Sequence, residues 1–119
     1  MTITITAAEA RELLTRAVEE KGADYVYPRV DNPDGCLYFE SNAPSCIVGH
    51  VLAYKGMEPF EDDAEYNAST VHSLRHRMLF EVDNDRTFEA LRTAQTRQDS
   101  GSTWGDALRA ALSVLDEAK

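Results

Sequence analysis

The sequence predicts an α+β fold of about five helices packed around one short antiparallel β-hairpin, in a single compact domain spanning residues 1–119. Three observations carry this expectation. Apolar residues recur at three- and four-residue spacing in several windows, each bracketed by helix-start and helix-stop residues. Two short aromatic and β-branched runs, separated by turn formers, lie between the first two windows. No segment reaches the roughly 18 uninterrupted apolar residues that a membrane span needs, so the amphipathic windows are expected to pack on one another in a soluble domain. With 119 residues, 43% of them hydrophobic, the chain can build a core without disulfide or metal.

The elements follow in chain order. Met1-Thr2-Ile3-Thr4-Ile5-Thr6 has no basic flank, long apolar run or small-residue cleavage pattern, so it does not read as a signal peptide, and residence in the cytoplasm is expected. Thr6 followed by Glu9 matches a capping box, and Ala7, Ala10, Leu14, Ala17 and Val18 give a first helix over Ala7–Lys21, stopped by Gly22. The runs 24–27 and 35–40 flank Val30-Asp31-Asn32-Pro33-Asp34 and form the predicted hairpin, with Pro28 marking a strand end. A second helix starts at Asn42, Pro44 and Ser45 and stops at Gly56. Ala68, Val71, Leu74, Arg75 and Met78 predict an amphipathic helix over 67–79, and the following apolar residues 79–82 are open to a strand. Asp83 is the expected N-cap of a helix carrying Phe88, Leu91, Ala94 and Gln95 as far as Ser100-Gly101. The last helix starts within 103–106 and turns Trp104, Ala107, Leu108, Ala111, Leu115 and Ala118 inward, which places Trp104 in the core.

Only the second helix carries a constellation with the makings of chemistry. At about 100° per residue, Cys46 in the first turn lies below His50 on one face. A thiol near the positive end of a helix dipole favours thiolate, and an imidazole one turn on could take its proton. Cys36, Cys46 and His50, with His72 or His76 from the next helix, could also supply four zinc ligands, although the C-x9-C-x3-H spacing lacks the close knuckle of common structural sites. The simplest reading treats both cysteines as small buried apolar residues. Gly49 is expected to admit a close neighbour, and Gln95, Gln98 and Asp99 to hold the turn that contains Gly101.

Charge bears on partners. Twelve basic and twenty-one acidic residues leave a net charge of −9, which repels phosphate backbones and anionic membrane surfaces and argues against direct nucleic-acid binding. Thirteen of the acids and five of the bases fall in residues 1–66. The densest run is Glu58, Glu61, Asp62, Asp63 and Glu65, either a solvated loop or a docking patch for a basic surface.

Two blocks resemble a known group. Cys36-Leu37-Tyr38-Phe39 leading to Pro44-Ser45-Cys46-Ile47-Val48-Gly49-His50-Val51-Leu52 with Gly56, and then Ala94-Gln95-Thr96-Arg97-Gln98-Asp99-Ser100-Gly101 with Trp104, are similar to small uncharacterised proteins of actinobacterial bacteriophages. The resemblance implies a non-virion protein acting in the host cytoplasm and carries no catalytic residue. The expected function is then a protein-binding module that modulates a host protein with a basic surface. Glu58 to Glu65 and exposed hairpin aromatics, Tyr25, Tyr27 and Tyr38, would form the contact, with no cofactor. The free hairpin edge leaves room for a homodimer. The alternative is a cysteine- and histidine-dependent enzyme, or a zinc-binding unit, centred on Cys46 and His50.

Overall fold

A computed structural model of the protein describes residues 3–27, 39–40, 43–57 and 80–116. The described elements are β1 (Ile3–Ile5), α1 (Ala7–Lys21), β2 (Phe39–Glu40), β3 (Ala43–Pro44), α2 (Ile47–Tyr54), β4 (Phe80–Val82), α3 (Asp85–Asp99) and α4 (Trp104–Asp116). Among the described residues, four helices and a two-stranded parallel sheet of β1 and β4 stand in place of the expected packing around one antiparallel hairpin. The helix expected over 67–79 lies outside the described residues.

The hairpin fails for a reason visible in its first strand. Residues 24–27 form no ladder; the Tyr25 carbonyl, with that of the preceding Ala23, serves another element. Ala23 O accepts the Gly105 amide and Tyr25 O the Trp104 amide, both at 2.8 Å. These are orphan donors at the start of α4, and the loop after α1 caps them. Gly105 is the close approach in this joint: a Cβ there would stand 2.8 Å from Ala23 O. Of the second expected strand, Phe39–Glu40 does pair antiparallel, but with the adjacent Ala43–Pro44.

The sheet joins the two halves of the chain. β1 runs parallel to β4 in the register Ile3↔Phe80, Thr4↔Glu81, Ile5↔Val82. Ile5 and Phe80 are buried. Each strand leads within a few residues into a helix, so α1 and α3 begin side by side. Asp83 clips this junction. Its Oδ2 accepts the Ala7 amide at 3.2 Å, its Oδ1 accepts the Thr87 hydroxyl at 2.6 Å, and its own amide donates to Ile5 O at 3.3 Å. The N-cap of α3 is instead Asn84, which accepts the Thr87 amide at 3.1 Å. Asp83 was the expected cap, yet its side chain reaches back to the start of α1.

Asp83 yields a pH-dependent prediction. The Thr87 hydroxyl first, and then the backbone amides, hold its carboxyl below the ordinary value of 3.8. The folded state thus binds this proton less readily than the unfolded chain, so the contribution is present above that pH and disappears as pH falls below it. Asp83→Asn is expected to cost about 1 kcal/mol at neutral pH, the usual scale of a lost helix-terminus acceptor. Urea unfolding at several pH values checks this: the gap between wild type and variant should close in acid.

The other boundaries follow local rules. Thr6 and Glu9 form the expected capping box, with Glu9 N to Thr6 Oγ1 at 3.1 Å and Thr6 N to Glu9 Oε1 at 3.0 Å. Gly56 ends α2 at φ 92°, a left-handed conformation that favours glycine. Thr103 Oγ1 accepts the Asp106 amide at 3.1 Å at the start of α4. The core lies where α1, α2, α3 and α4 meet, around Leu14, Ile47, Leu52, Leu91 and Trp104. Among the described residues, no helix is long and apolar enough to cross a membrane.

Candidate functional site

The start of α2 carries the candidate chemistry, and it is held from outside the helix. Cys46 is the N-cap residue, one position before the first turn in which the sequence placed it, and its side chain caps nothing. The Ile47 amide finds its acceptor 51 residues away, in Gln98 Oε1 of α3 at 2.8 Å. Gln98 is fully buried, and its Nε2 donates to Asp99 Oδ1 at 2.9 Å. Gln95, one turn earlier on α3, directs Nε2 to Cys46 Sγ at 3.6 Å. The expected role of Gln95 and Gln98 in holding the turn around Gly101 is therefore corrected: these side chains hold α2. The two blocks of motif residues meet here, one capping the other.

His50 completes the cluster from inside. Its ring is 2% exposed, and Nδ1 lies 2.9 Å from Cys46 O, which also accepts the His50 backbone amide at 3.0 Å. A carbonyl can only accept, so Nδ1 carries the proton and Nε2 is the bare nitrogen of the neutral ring. Nε2 faces Glu20 Oε2 across 3.7 Å. The same oxygen accepts the Tyr54 hydroxyl at 2.8 Å, while Arg16 covers the Tyr54 ring at 4.2 Å from its centroid. On the other side Trp104 packs edge to face, with ring centroids 5.3 Å apart and planes at 82°. Tyr25 adds a second edge-to-face contact to Trp104 at 4.8 Å.

The electrostatics favour a neutral imidazole. Burial pushes His50 below its ordinary 6.5, and Lys21 adds to this, while the Cys46 carbonyl and Glu20 oppose it. The 3.7 Å approach to Glu20 would be an ion pair only with a proton on Nε2. Desolvation outweighs it because the Glu20 side chain is 55% exposed and its charge is screened by solvent. Tyr54 is pushed up to about 12, chiefly by burial and then by Glu20.

This geometry engages the imidazole away from the thiol. A nucleophile pair needs a ring nitrogen directed at Sγ, whereas here Nδ1 holds the carbonyl of the same residue and Nε2 faces α1. Among the described residues no group of three or more His, Cys, Asp and Glu could hold a metal ion. Cys36, His72 and His76 lie outside the described residues. So do Glu58, Glu61, Asp62, Asp63, Glu65 and Tyr38.

The two described aromatics of the expected contact face are not exposed. Tyr27 is buried, with its hydroxyl and that of Ser45 sharing a hydrogen bond of 2.9 Å. Tyr25 is half-buried against Trp104, with Lys21 at 5.5 Å from its ring centroid. Glu20, Tyr54 and Gln98 were not foreseen as parts of the cluster. Tyr54 follows His50 by four residues and shares its face, and Gln98 follows Gln95 by three on a buried stripe; both spacings were legible. No protein-family model, curated protein or solved structure matches this chain.

Proposed function

We propose that this chain is a small phage-type accessory protein that works as a protein-binding module, engaging a basic surface of a host protein in the host cytoplasm. The observation that carries the reading is the commitment of the motif residues to the interior. Cys46, Gln95 and Gln98 hold the start of α2 against α3 and His50 packs on Trp104 of α4, so these residues of the phage-protein resemblance have a structural task. Recognition then falls to surface charge, and the excess of thirteen acids over five bases in residues 1–66 supplies it. Glu58, Glu61, Asp62, Asp63 and Glu65 are the proposed contact residues.

Affinity capture from host lysate tests the proposal, with wild type and the Asp62→Lys, Asp63→Lys double variant compared at low and high salt. The expected result is a partner that wild type retains at low salt, releases as salt rises, and that the variant fails to retain while melting as wild type does. Equal retention of the same partner by the charge-reversed protein would count against the acidic contact.

A further inference from the structure

The Glu20 carboxylate stands between two groups that compete for one of its oxygens. Oε2 accepts the Tyr54 hydroxyl at 2.8 Å and faces His50 Nε2 at 3.7 Å. With Nδ1 fixed as the donor to Cys46 O, neutral His50 presents a lone pair to a carboxylate, and nothing holds that contact together. A proton on Nε2 reverses the situation, since the imidazolium then donates a charge-assisted hydrogen bond to the same oxygen. The half-exposed carboxylate also offers the proton a route from solvent to a ring that is otherwise buried.

We propose that His50, Glu20 and Tyr54 form a proton-operated latch across the seam between α1 and α2. One proton from solvent binds His50 Nε2, and the Glu20 carboxylate moves from the Tyr54 hydroxyl onto the imidazolium. The described charged and titratable groups around the ring are Glu20 and Lys21 from α1 and Tyr54 from its own helix, with Arg16 over Tyr54. α4 presents the uncharged Trp104 ring. Burial first, and then Lys21, set the resistance to proton uptake, so the latch closes below pH 6.5, His50 being held under that ordinary value. This device is independent of the binding function proposed above.

The protein carries one tryptophan, and it lies against the switching ring, so its emission reports the event. The experiment is a reversible titration of Trp104 fluorescence from pH 8 to pH 5, with far-UV circular dichroism on the same samples, for wild type, His50→Gln, Glu20→Gln and Tyr54→Phe. The expected wild-type result is a single emission change below pH 6.5 at constant ellipticity. His50→Gln should abolish it. Glu20→Gln should lower the midpoint by about half a unit or more, since it removes the charge that favours the imidazolium, and Tyr54→Phe should raise it by freeing Oε2. The Glu20 and Tyr54 variants decide the matter even where His50→Gln does not fold, because both residues lie at the edge of the cluster. A flat titration, a midpoint unmoved by both edge variants, or an emission change that coincides with loss of ellipticity would overturn the latch.

Discussion

Trp104→Ala is expected to remove about 3–5 kcal/mol of stability, the usual range for deleting a large aromatic from a packed interior. Trp104 is the largest fully buried side chain among the described residues and packs between α2 and the loop after α1. Its ring packs on His50 and Tyr25, and its backbone amide donates to Tyr25 O at 2.8 Å. Deletion leaves a cavity between α4, His50 of α2 and Tyr25 of the loop after α1. On a domain whose whole stability is of order 5–15 kcal/mol, that loss corresponds to a melting temperature lower by about 10–20 °C. Trp104→Phe should cost much less. It keeps most of the ring and removes an indole N–H that is buried and has no hydrogen-bond partner among the described residues. Thermal melts of both variants check the pair; comparable losses for Ala and Phe would show that ring packing is not the main contribution of this residue.

Gln98→Met is expected to be nearly as harmful as a cavity although it changes little volume. The substitution leaves the Ile47 amide buried with no acceptor, at a cost of about 1–3 kcal/mol. Gln98→Ala should add the cavity and reach about 2–4 kcal/mol. The signature of the cap is local. Amide hydrogen exchange at Ile47 should accelerate in Gln98→Met more than exchange within α1, whose own capping box is untouched. Uniform acceleration across α1 and α2 would instead mark a general loss of stability with no special role for the cap.

The parts of the fold that the sequence made legible are those fixed within a few residues. The capping box at Thr6 and Glu9, the stop at Gly56 and the stripe from Trp104 to Leu115 depend on contacts three or four residues apart, and each is found where the pattern put it. What stayed hidden depends on distant pairing. The alternation Thr2-Ile3-Thr4-Ile5 has the period of a strand, but its partner Phe80–Val82 lies some 75 residues away, and nothing local announces a parallel ladder. The expected hairpin was misread for a related reason. Aromatic and β-branched content at 24–27 marks a segment that packs, and this one packs by lending the Ala23 and Tyr25 carbonyls to α4 rather than by pairing with a neighbouring strand.

The candidate site divides the same way. Cys46 and His50 are close in space as their spacing requires, yet the direction of the imidazole is set by the Cys46 carbonyl and by Glu20, which belongs to another helix. A spacing rule places side chains on a face and says nothing of which atom each ring nitrogen meets. Gln98 shows what a sharper reading could have used. A glutamine on the buried stripe of Leu91, Ala94 and Gln95 is a polar group that must find a partner inside, and helix starts leave orphan donors that such a side chain can satisfy.

Cys46 belongs to a structural joint, with its neighbouring imidazole turned away from the thiol. Alkylation of the native protein by iodoacetamide, followed by intact mass in a Cys36→Ser background so that one thiol is counted, tests it most directly. Cys46, buried beneath Gln95, is expected to react far more slowly than a free thiol at neutral pH and to reach the free-thiol rate only in denaturant. A native rate at or above that of a free thiol would contradict it, and would return Cys46 and His50 to the centre of the protein's chemistry.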